Sequence, residues 1–387
     1  MVRLRPPQEA DFTSHLRSPA VAARIGLALS ACFGIAFVTG LISHWAQNPN
    51  PWFIVPTSPS WGYRVNQGLH VASGTAAIPL LLVKLWTVFP RLFARLPSKR
   101  AKELLLTALE RGSIAVLVAS ALFLLATGLL NTSQWYPWNF IFRLTHYALG
   151  WIAIGALLVH VVVKLPIIRG ALTSDVTSAE LDRPEFDRRP SGLTRRGLLR
   201  TTWLASGVAV LASAGSAVPL LRHVSVFGVR SGDGPAGVPI NKSAKAAGVI
   251  ASAMSSDFML TVVGKDREVH LAPGYLTSLK THDAELPIAC VEGWSASGTW
   301  TGVRISDLIA MVGAPAHSDV RITSLQQHGP YRISVLPAAY VADRDTLLAT
   351  HLNGERLAID HGFPCRVIAP NRPGVLQTKW VTKLEVV

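Results

Sequence analysis

Apolar residues along this chain fall into two textures, and the change comes near Leu221. Before that point they form long runs. A helix that crosses a bilayer needs about 20 apolar residues, since each adds only ~1.5 Å through a hydrocarbon layer roughly 30 Å thick. Ile25–Trp45, Gln67–Phe89, Gly112–Leu130 and Leu144–Leu165 meet that length, and Thr201–Leu221, richer in Ala, Ser and Gly, is a weaker fifth run. Beyond Leu221 the apolar runs are short and of β-type composition: Phe258–Val263, Pro287–Val291, Val320–Ser324 and Cys365–Ala369. Gly, Pro, Asn and Asp turns separate them, and Ile305–Val312 reads as a short helix. The expected fold is a multi-domain membrane protein, with a transmembrane helical bundle of four plus one helices followed by an α+β, β-rich domain. Its expected parts are a cytoplasmic tail (1–24), a four-helix domain (25–165), a linker (166–200), a fifth span (201–221), a second linker (222–239) containing the Gly/Pro stretch Ser231–Pro239, and a terminal domain (240–387).

The formal net charge of +14 invites a nucleic-acid partner, but the placement of the cations argues against one. They crowd into alternate loops. The tail holds Arg3, Arg5, Arg17 and Arg24, and the second loop Arg91, Arg95, Lys99, Arg100, Lys102 and Arg111. The fourth holds Lys164, Arg169, Arg183, Arg188, Arg189, Arg195, Arg196 and Arg200, whereas the first and third hold only Arg64 and Arg143. Positive loops stay in the cytoplasm, so the N-terminus is expected inside and everything after the fifth span outside. Trp45, Trp52, Trp61, Trp135, Tyr136 and Trp138 flank the poor loops, as aromatic residues do at a membrane interface. Thr194-Arg195-Arg196-Gly197-Leu198-Leu199 opens the fifth run and resembles a twin-arginine export signal, here internal; it also reads as an ordinary positive flank.

Three histidines fall within the apolar runs: His70, His146 and His160. An ionisable residue at that depth is a functional candidate. His146 and His160 are 14 residues apart, close to four helical turns, so they share one face about 21 Å apart. That spacing suits two haems stacked across a bilayer, and interfacial or packing histidines are the alternative. Over Arg17–Leu165 the pattern resembles the di-haem cytochrome b subunits of bacterial respiratory enzymes, the cytochrome b561 type. The resemblance implies that His70 and His146 clasp one haem b. A second haem would take His160 and a histidine at the start of the first span, where His15 is the only candidate; His44 is a spare near the first haem.

The three cysteines, Cys32, Cys290 and Cys365, do not form a disulfide framework. Cys290 ends an apolar run inside Leu286-Pro-Ile-Ala-Cys290-Val-Glu-Gly-Trp294-Ser-Ala-Ser-Gly-Thr-Trp300, which delivers a thiol into a Gly- and Trp-rich loop. Such a thiolate suits a soft metal or nucleophilic work with His282, His328 or His361, and buried filler is the plainer reading. No second Cys or His stands at zinc-ligand spacing. From about Ile240 to Val387 the sequence resembles the sulfite oxidase family of molybdopterin enzymes, in the branch containing bacterial periplasmic methionine sulfoxide reductase. The resemblance rests on Cys-Val-Glu-x-Trp-Ser with a second Trp ten residues after the Cys, on Leu352-Asn-Gly-Glu-Arg356, on His361-Gly-Phe-Pro-Cys-Arg366 and on Lys379-Trp380.

That resemblance implies a Mo-molybdopterin cofactor with Cys290 as its thiolate ligand. It implies contacts to the pterin and its phosphate from His361, Arg366 and Lys379, with Gln377 and Thr378 in the same loop and Ser324 as a further contact. Cys365 reads as a strand residue facing the core. Sulfite oxidases proper follow their cysteine with arginines, whereas Val-Glu-Gly-Trp follows Cys290, so sulfite is not the expected substrate. An early Asn/Arg/His segment of the family has only Asn241 as a weak counterpart. A molybdenum–pterin cofactor is inserted in the cytoplasm, and this favours the export reading of Arg195-Arg196, because the twin-arginine route carries folded cargo. The two resemblances together imply a multi-pass enzyme of a bacterial plasma membrane. Oxygen-atom transfer at an extracytoplasmic Mo site would exchange electrons through haem b with quinone or quinol. The implied partners are membrane lipid, that electron carrier or another, and a small-molecule oxo donor or acceptor. The rival readings are a Mo enzyme on a haem-free anchor and a non-catalytic membrane electron-transfer haem protein.

Overall fold

The computed structural model describes residues 7–94, 101–187, 192–228 and 234–387. Arg3, Arg5, Arg95, Lys99, Arg100, Arg188, Arg189 and linker residues 231–233 of the sequence reading lie outside the described residues. Among the described residues, five helices are long and apolar enough to cross a membrane. They are α1 (Pro19–Ala46), α2 (Gly62–Val88), α3 (Ala101–Thr132), α4 (Phe142–Thr173) and α5 (Arg195–Ser213). α1, α3 and α4 extend beyond their apolar stretches at both ends, whereas α2 starts five residues earlier, at Gly62, and ends at Val88. α5 starts six residues before its apolar run, at Arg195, because Thr194 Oγ1 caps it by accepting from the Gly197 amide at 3.0 Å. Arg195 and Arg196 therefore sit in its first turn.

The chain divides into two compact units. The first comprises Met1–Val38, His70–Asn131 and Trp135–Ser213. Val21, Ile25, Leu80 and Val176 form a buried cluster in it. Nearby, the Arg24 guanidinium donates to the carbonyls of Ala171, Leu172 and Ser174 at the end of α4, where intrahelical donors run out.

The second unit comprises Thr39–Leu69, Thr132–Gln134 and Ala214–Val387. Its strands are β1 (Leu260–Val263), β2 (Glu268–Leu271), β3 (His282–Ala289), β4 (Ser295–Arg304), β5 (Val320–Ser324), β6 (Ile333–Leu336), β7 (Leu347–Leu352), β8 (Glu355–Arg356), β9 (Arg366–Ile368) and β10 (Val381–Val386). One sheet has the order β2-β1-β10-β5-β6, with β1 and β10 parallel. The other runs β3-β4-β7-β8, with β9 also paired to β7. Val320–Ser324 coincides with its sequence expectation. β3 begins earlier than Pro287 because its period-two pattern does: Ala284, Leu286 and Ile288 are buried, whereas Asp283 and Glu285 are exposed. Leu260, Val303, Leu308, Ile322 and Leu348 draw residues from both sheets into the main core, which also encloses Cys365.

Gly302 marks the closest approach within the second sheet. The β4–β7 register shifts between Thr301 and Gly302, and a Cβ at Gly302 would lie 2.1 Å from the Leu348 carbonyl oxygen. Backbone cannot yield cheaply, so Gly302→Ala is expected to destabilise this unit by about 3 kcal/mol, or roughly 6–12 °C in Tm. Thermal unfolding in detergent reads this directly, and a wild-type Tm would mean that β4 and β7 do not pair in this register.

Candidate active site

The antiparallel pairing of β3 with β4 runs up to Ala289 opposite Ser295 and leaves Cys290–Trp294 as the hairpin loop. Two backbone bonds close it, Cys290 N–H to Trp294 O at 2.8 Å and Gly293 N–H to Cys290 O at 3.1 Å. Gly293 has φ +78°, a left-handed conformation that a side chain would strain. The loop buries the Cys290 thiol, and burial followed by the nearby Glu292 carboxylate pushes its pKa up. Burial also raises the pKa of Glu292, whose Oε2 accepts from Trp294 Nε1 at 3.0 Å and Gln134 Nε2 at 3.1 Å.

The segment from His361 to Lys379 supplies cations. It turns at Gly362, where φ is +107° and a Cβ would lie 3.0 Å from Lys379 Cβ and 3.1 Å from Arg366 Cβ. That turn lets Arg366 and Lys379 approach each other. Arg366 donates from Nη1 to His361 O and from Nη2 to Gln377 O, and its guanidinium lies 4.9 Å from the Trp300 ring centre. Its Nε is buried without a hydrogen-bond partner, as is Arg372 Nη1. Lys379 Nζ donates to Lys242 O at 2.6 Å and Asp360 O at 2.9 Å. Burial lowers the Arg366 pKa to about 9 and, with help from Arg366, that of Lys379 to about 7.

Arg366, Arg372 and Lys379 are all buried, and none takes part in an ion pair among the described residues. Buried cations held only by carbonyls are costly unless an anion joins them. With a buried thiol in electrostatic contact with Lys379, the donor set fits a phosphate-bearing cofactor with a thiolate-ligated metal.

Residues 210–387 match the family described as oxidoreductase molybdopterin binding domain. Sulfite oxidase of Arabidopsis thaliana is 33% identical over 113 residues, covering 24% of this chain and 29% of that protein. Human mitochondrial sulfite oxidase is 31% identical over 101 residues, covering 24% and 18%. A putative protein-methionine-sulfoxide reductase subunit YedZ1 of Azospira oryzae is 31% identical over 97 residues, covering 25% and 36%. The chain thus spans about a third or less of the length of these relatives. Its carboxy-terminal half is a molybdopterin-binding oxidoreductase domain of the sulfite oxidase type.

Within the molybdopterin-binding domain the other expected contacts have differing surroundings. His361 is buried, its ring Nε2 lies 2.9 Å from Pro235 O, and burial first and Arg366 second lower its pKa to about 4, so the imidazole is neutral. The Gln377 amide is committed to backbone: Oε1 accepts from the Ala369 amide, and Nε2 donates to Ala369 O and Arg372 O. It therefore braces the loop. Ser324 Oγ likewise donates to Lys379 O at 2.7 Å and sets the backbone beside that lysine. Thr378 Oγ1 lies 3.2 Å from Ser334 Oγ. Asn241 Oδ1 accepts from the Lys242 amide. Glu292 and Arg372 were given no role on the sequence; Glu292 stood within the quoted motif, whereas Arg372 is a lone arginine before a proline and carries no signal there.

In the helical unit, His70 and His146 face each other with ring centres 6.3 Å apart. Two imidazoles sharing one metal at about 2 Å per bond would place their ring centres about 6 Å apart. His70 Nδ1 lies 2.9 Å from Ala36 O, so it carries the proton and donates. His146 Nδ1 lies 3.3 Å from Thr127 Oγ1, whose own hydroxyl donates to Phe123 O. Both rings thus place a lone pair on Nε2, the tautomer of a metal-ligating histidine with a partner behind it. His160 is different. Its electrostatic neighbours are Lys84, Lys164, Glu110 and Arg91, and no ring contact or hydrogen bond joins it to His15. His15 sits in a short turn, His15–Arg17, whose His15 carbonyl accepts from Arg195 Nε. The structure does not bring the expected second ligand pair together.

Proposed function

We propose that this chain is a membrane-bound molybdenum-cofactor oxidoreductase that exchanges electrons with quinone or quinol through one haem b. The observation that carries the reading is a buried thiol, Cys290, that feels the charge of Lys379, in a domain where Arg366, Arg372 and Lys379 are buried without an ion pair among the described residues. Cys290 would ligate molybdenum. Arg366 and Lys379 would hold the phosphate, and neutral His361 would lie against the pterin. Bound there, the cofactor supplies two-electron oxygen-atom transfer. The protein's own part is to keep the thiol dry, fix the loop that presents it and supply fixed charge. The Val-Glu-Gly sequence after Cys290 offers no arginine to a sulfite-like anion, which favours a neutral small-molecule oxo donor or acceptor. His70 and His146 would be the axial ligands of the haem. The cation-rich loops and five apolar helices favour a plasma membrane location with the molybdopterin-binding domain outside.

Metal analysis and a reduced-minus-oxidised spectrum on the same detergent-purified sample test this reading. Molybdenum stoichiometric with the chain, together with a b-type band, is expected. Absence of molybdenum would overturn the enzyme reading, and molybdenum without a haem band would leave a haem-free anchor.

Export gives a separate prediction. Arg195 is buried, paired with Asp182 and donating to the carbonyls of His15, Val176 and Ser178, so replacing it also disturbs packing. Arg196 is exposed and pairs with exposed Asp175 at 3.2 Å. Arg196→Lys keeps the charge and isolates signal recognition from packing. It is expected to protect the molybdopterin-binding domain from external protease in spheroplasts; digestion as complete as in wild type would reduce the pair to a topology flank.

A further inference from the structure

Three chain segments far from Cys290 in sequence converge on its loop. Ser216 Oγ donates to Gly293 O at 3.0 Å, Gln134 Nε2 donates to Glu292 Oε2 at 3.1 Å, and Gln67 Nε2 donates to Cys290 O at 3.5 Å. Gln67 belongs to α2, Gln134 follows the end of α3, and Ser216 follows the end of α5. Ser216 and Gln67 are buried, so water does not compete freely for these bonds. Flanking contacts make the attachment broader than three atoms. Arg64 Nη2 donates to Ser297 Oγ of β4, the Tyr63 amide donates to Asn371 Oδ1, and the Tyr63 ring packs on Ala289 at the end of β3.

A five-residue hairpin loop closed by two backbone bonds holds its own shape loosely, because a loop relies on outside partners for its remaining polar groups. Here those partners come from the segments that adjoin the long helices. We propose that Gln67, Gln134 and Ser216 form a clamp that positions the Cys290–Trp294 loop, so that the site of the molybdenum ligand is completed by segments of the second unit that lie outside 240–387. They are positioning residues. They act through backbone carbonyls and through Glu292, which Gln134 and Trp294 hold in common. The consequence is that the thiol's place and its seclusion depend on residues outside 240–387. This rests on the molybdenum reading for its purpose, though the clamp itself is a property of the chain.

The experiment has one arm that needs no cofactor. In full-length protein prepared from cells unable to make the pterin, the alkylation rate of Cys290 is followed by peptide mass spectrometry, which separates it from Cys32 and Cys365. Ser216→Ala and Gln134→Leu are each expected to speed Cys290 labelling about five- to tenfold, the effect of one lost hydrogen bond on local opening. Ser216→Thr, which keeps the hydroxyl, should restore the wild-type rate. In cofactor-loaded protein the same variants should retain molybdenum but shift the Mo(V) paramagnetic resonance spectrum, with the Thr variant again like wild type. Wild-type labelling rates and an unshifted spectrum in both variants would overturn the clamp. A wild-type protein without molybdenum would overturn the enzyme reading, while the labelling arm would still decide the clamp.

Discussion

Cys290→Ser is expected to abolish turnover, by more than ~100-fold, the upper loss that follows removal of a mere outer partner of a metal ligand. Ligation of the metal and retention of the pterin fall to different residues. Arg366, Lys379 and His361 lie in a different segment from Cys290, and their placement depends on the Gly362 turn and on carbonyls of Gln377, Lys242, Asp360 and Pro235. None of these contacts uses the Cys290 side chain. Pterin content should therefore stay close to wild type, since the phosphate contacts remain. The hydroxyl also fits the space, being smaller than the thiol, so the hairpin should fold. Pterin is measured by fluorescence of its oxidised form after release, and activity with an artificial electron donor on the same sample. A Ser variant that keeps most of its activity would remove Cys290 from the metal. Loss of pterin along with activity would show instead that the thiolate–metal bond is the main tether.

Much of this arrangement was legible before any coordinates, for reasons that differ by element. The long helices were legible because crossing a bilayer demands length, and length is visible in an apolar run. Their ends were less so: α5 starts at Arg195 because of one hydroxyl, that of Thr194, and an apolar-run reading cannot see a cap. Cys290, Arg366 and Lys379 were candidates in the sequence because a resemblance carried them, and they are buried in the structure. Burial explains why they matter, and burial is not visible in a basic residue that reads alone as surface charge. Gln377 and Ser324 were legible as members of the right loops, but whether their polar atoms face a ligand or their own backbone depends on a few ångströms. The clamp was not legible at all. Gln67, Gln134 and Ser216 stand more than 70 residues from Cys290 and look like ordinary polar residues at helix ends.

His146→Ala is expected to remove the proposed haem, and His70→Ala to do the same. Each side chain would supply one of two axial ligands, and an iron left with one loses the low-spin b-type spectrum and most of its hold on the protein. The two rings are a matched pair at 6.3 Å between centres, each with Nδ1 engaged by its own helix environment, Ala36 O for one and Thr127 Oγ1 for the other. Those rear contacts predict a graded result. Thr127→Val keeps the shape of the side chain but loses the acceptor behind His146, so it should weaken haem binding by about 10–100-fold without abolishing it, as loss of an outer partner does at metal sites. His160→Ala serves as the control. With no second imidazole against it and Lys84, Lys164, Glu110 and Arg91 as its electrostatic neighbours, it should leave haem content and spectrum unchanged. Haem per chain is read from the pyridine haemochrome and ligation from the reduced-minus-oxidised spectrum. Full haem in both the His70 and His146 variants would sink the pairing. Loss of half the haem in His160→Ala would restore a second haem and require a ligand opposite it that this structure does not provide.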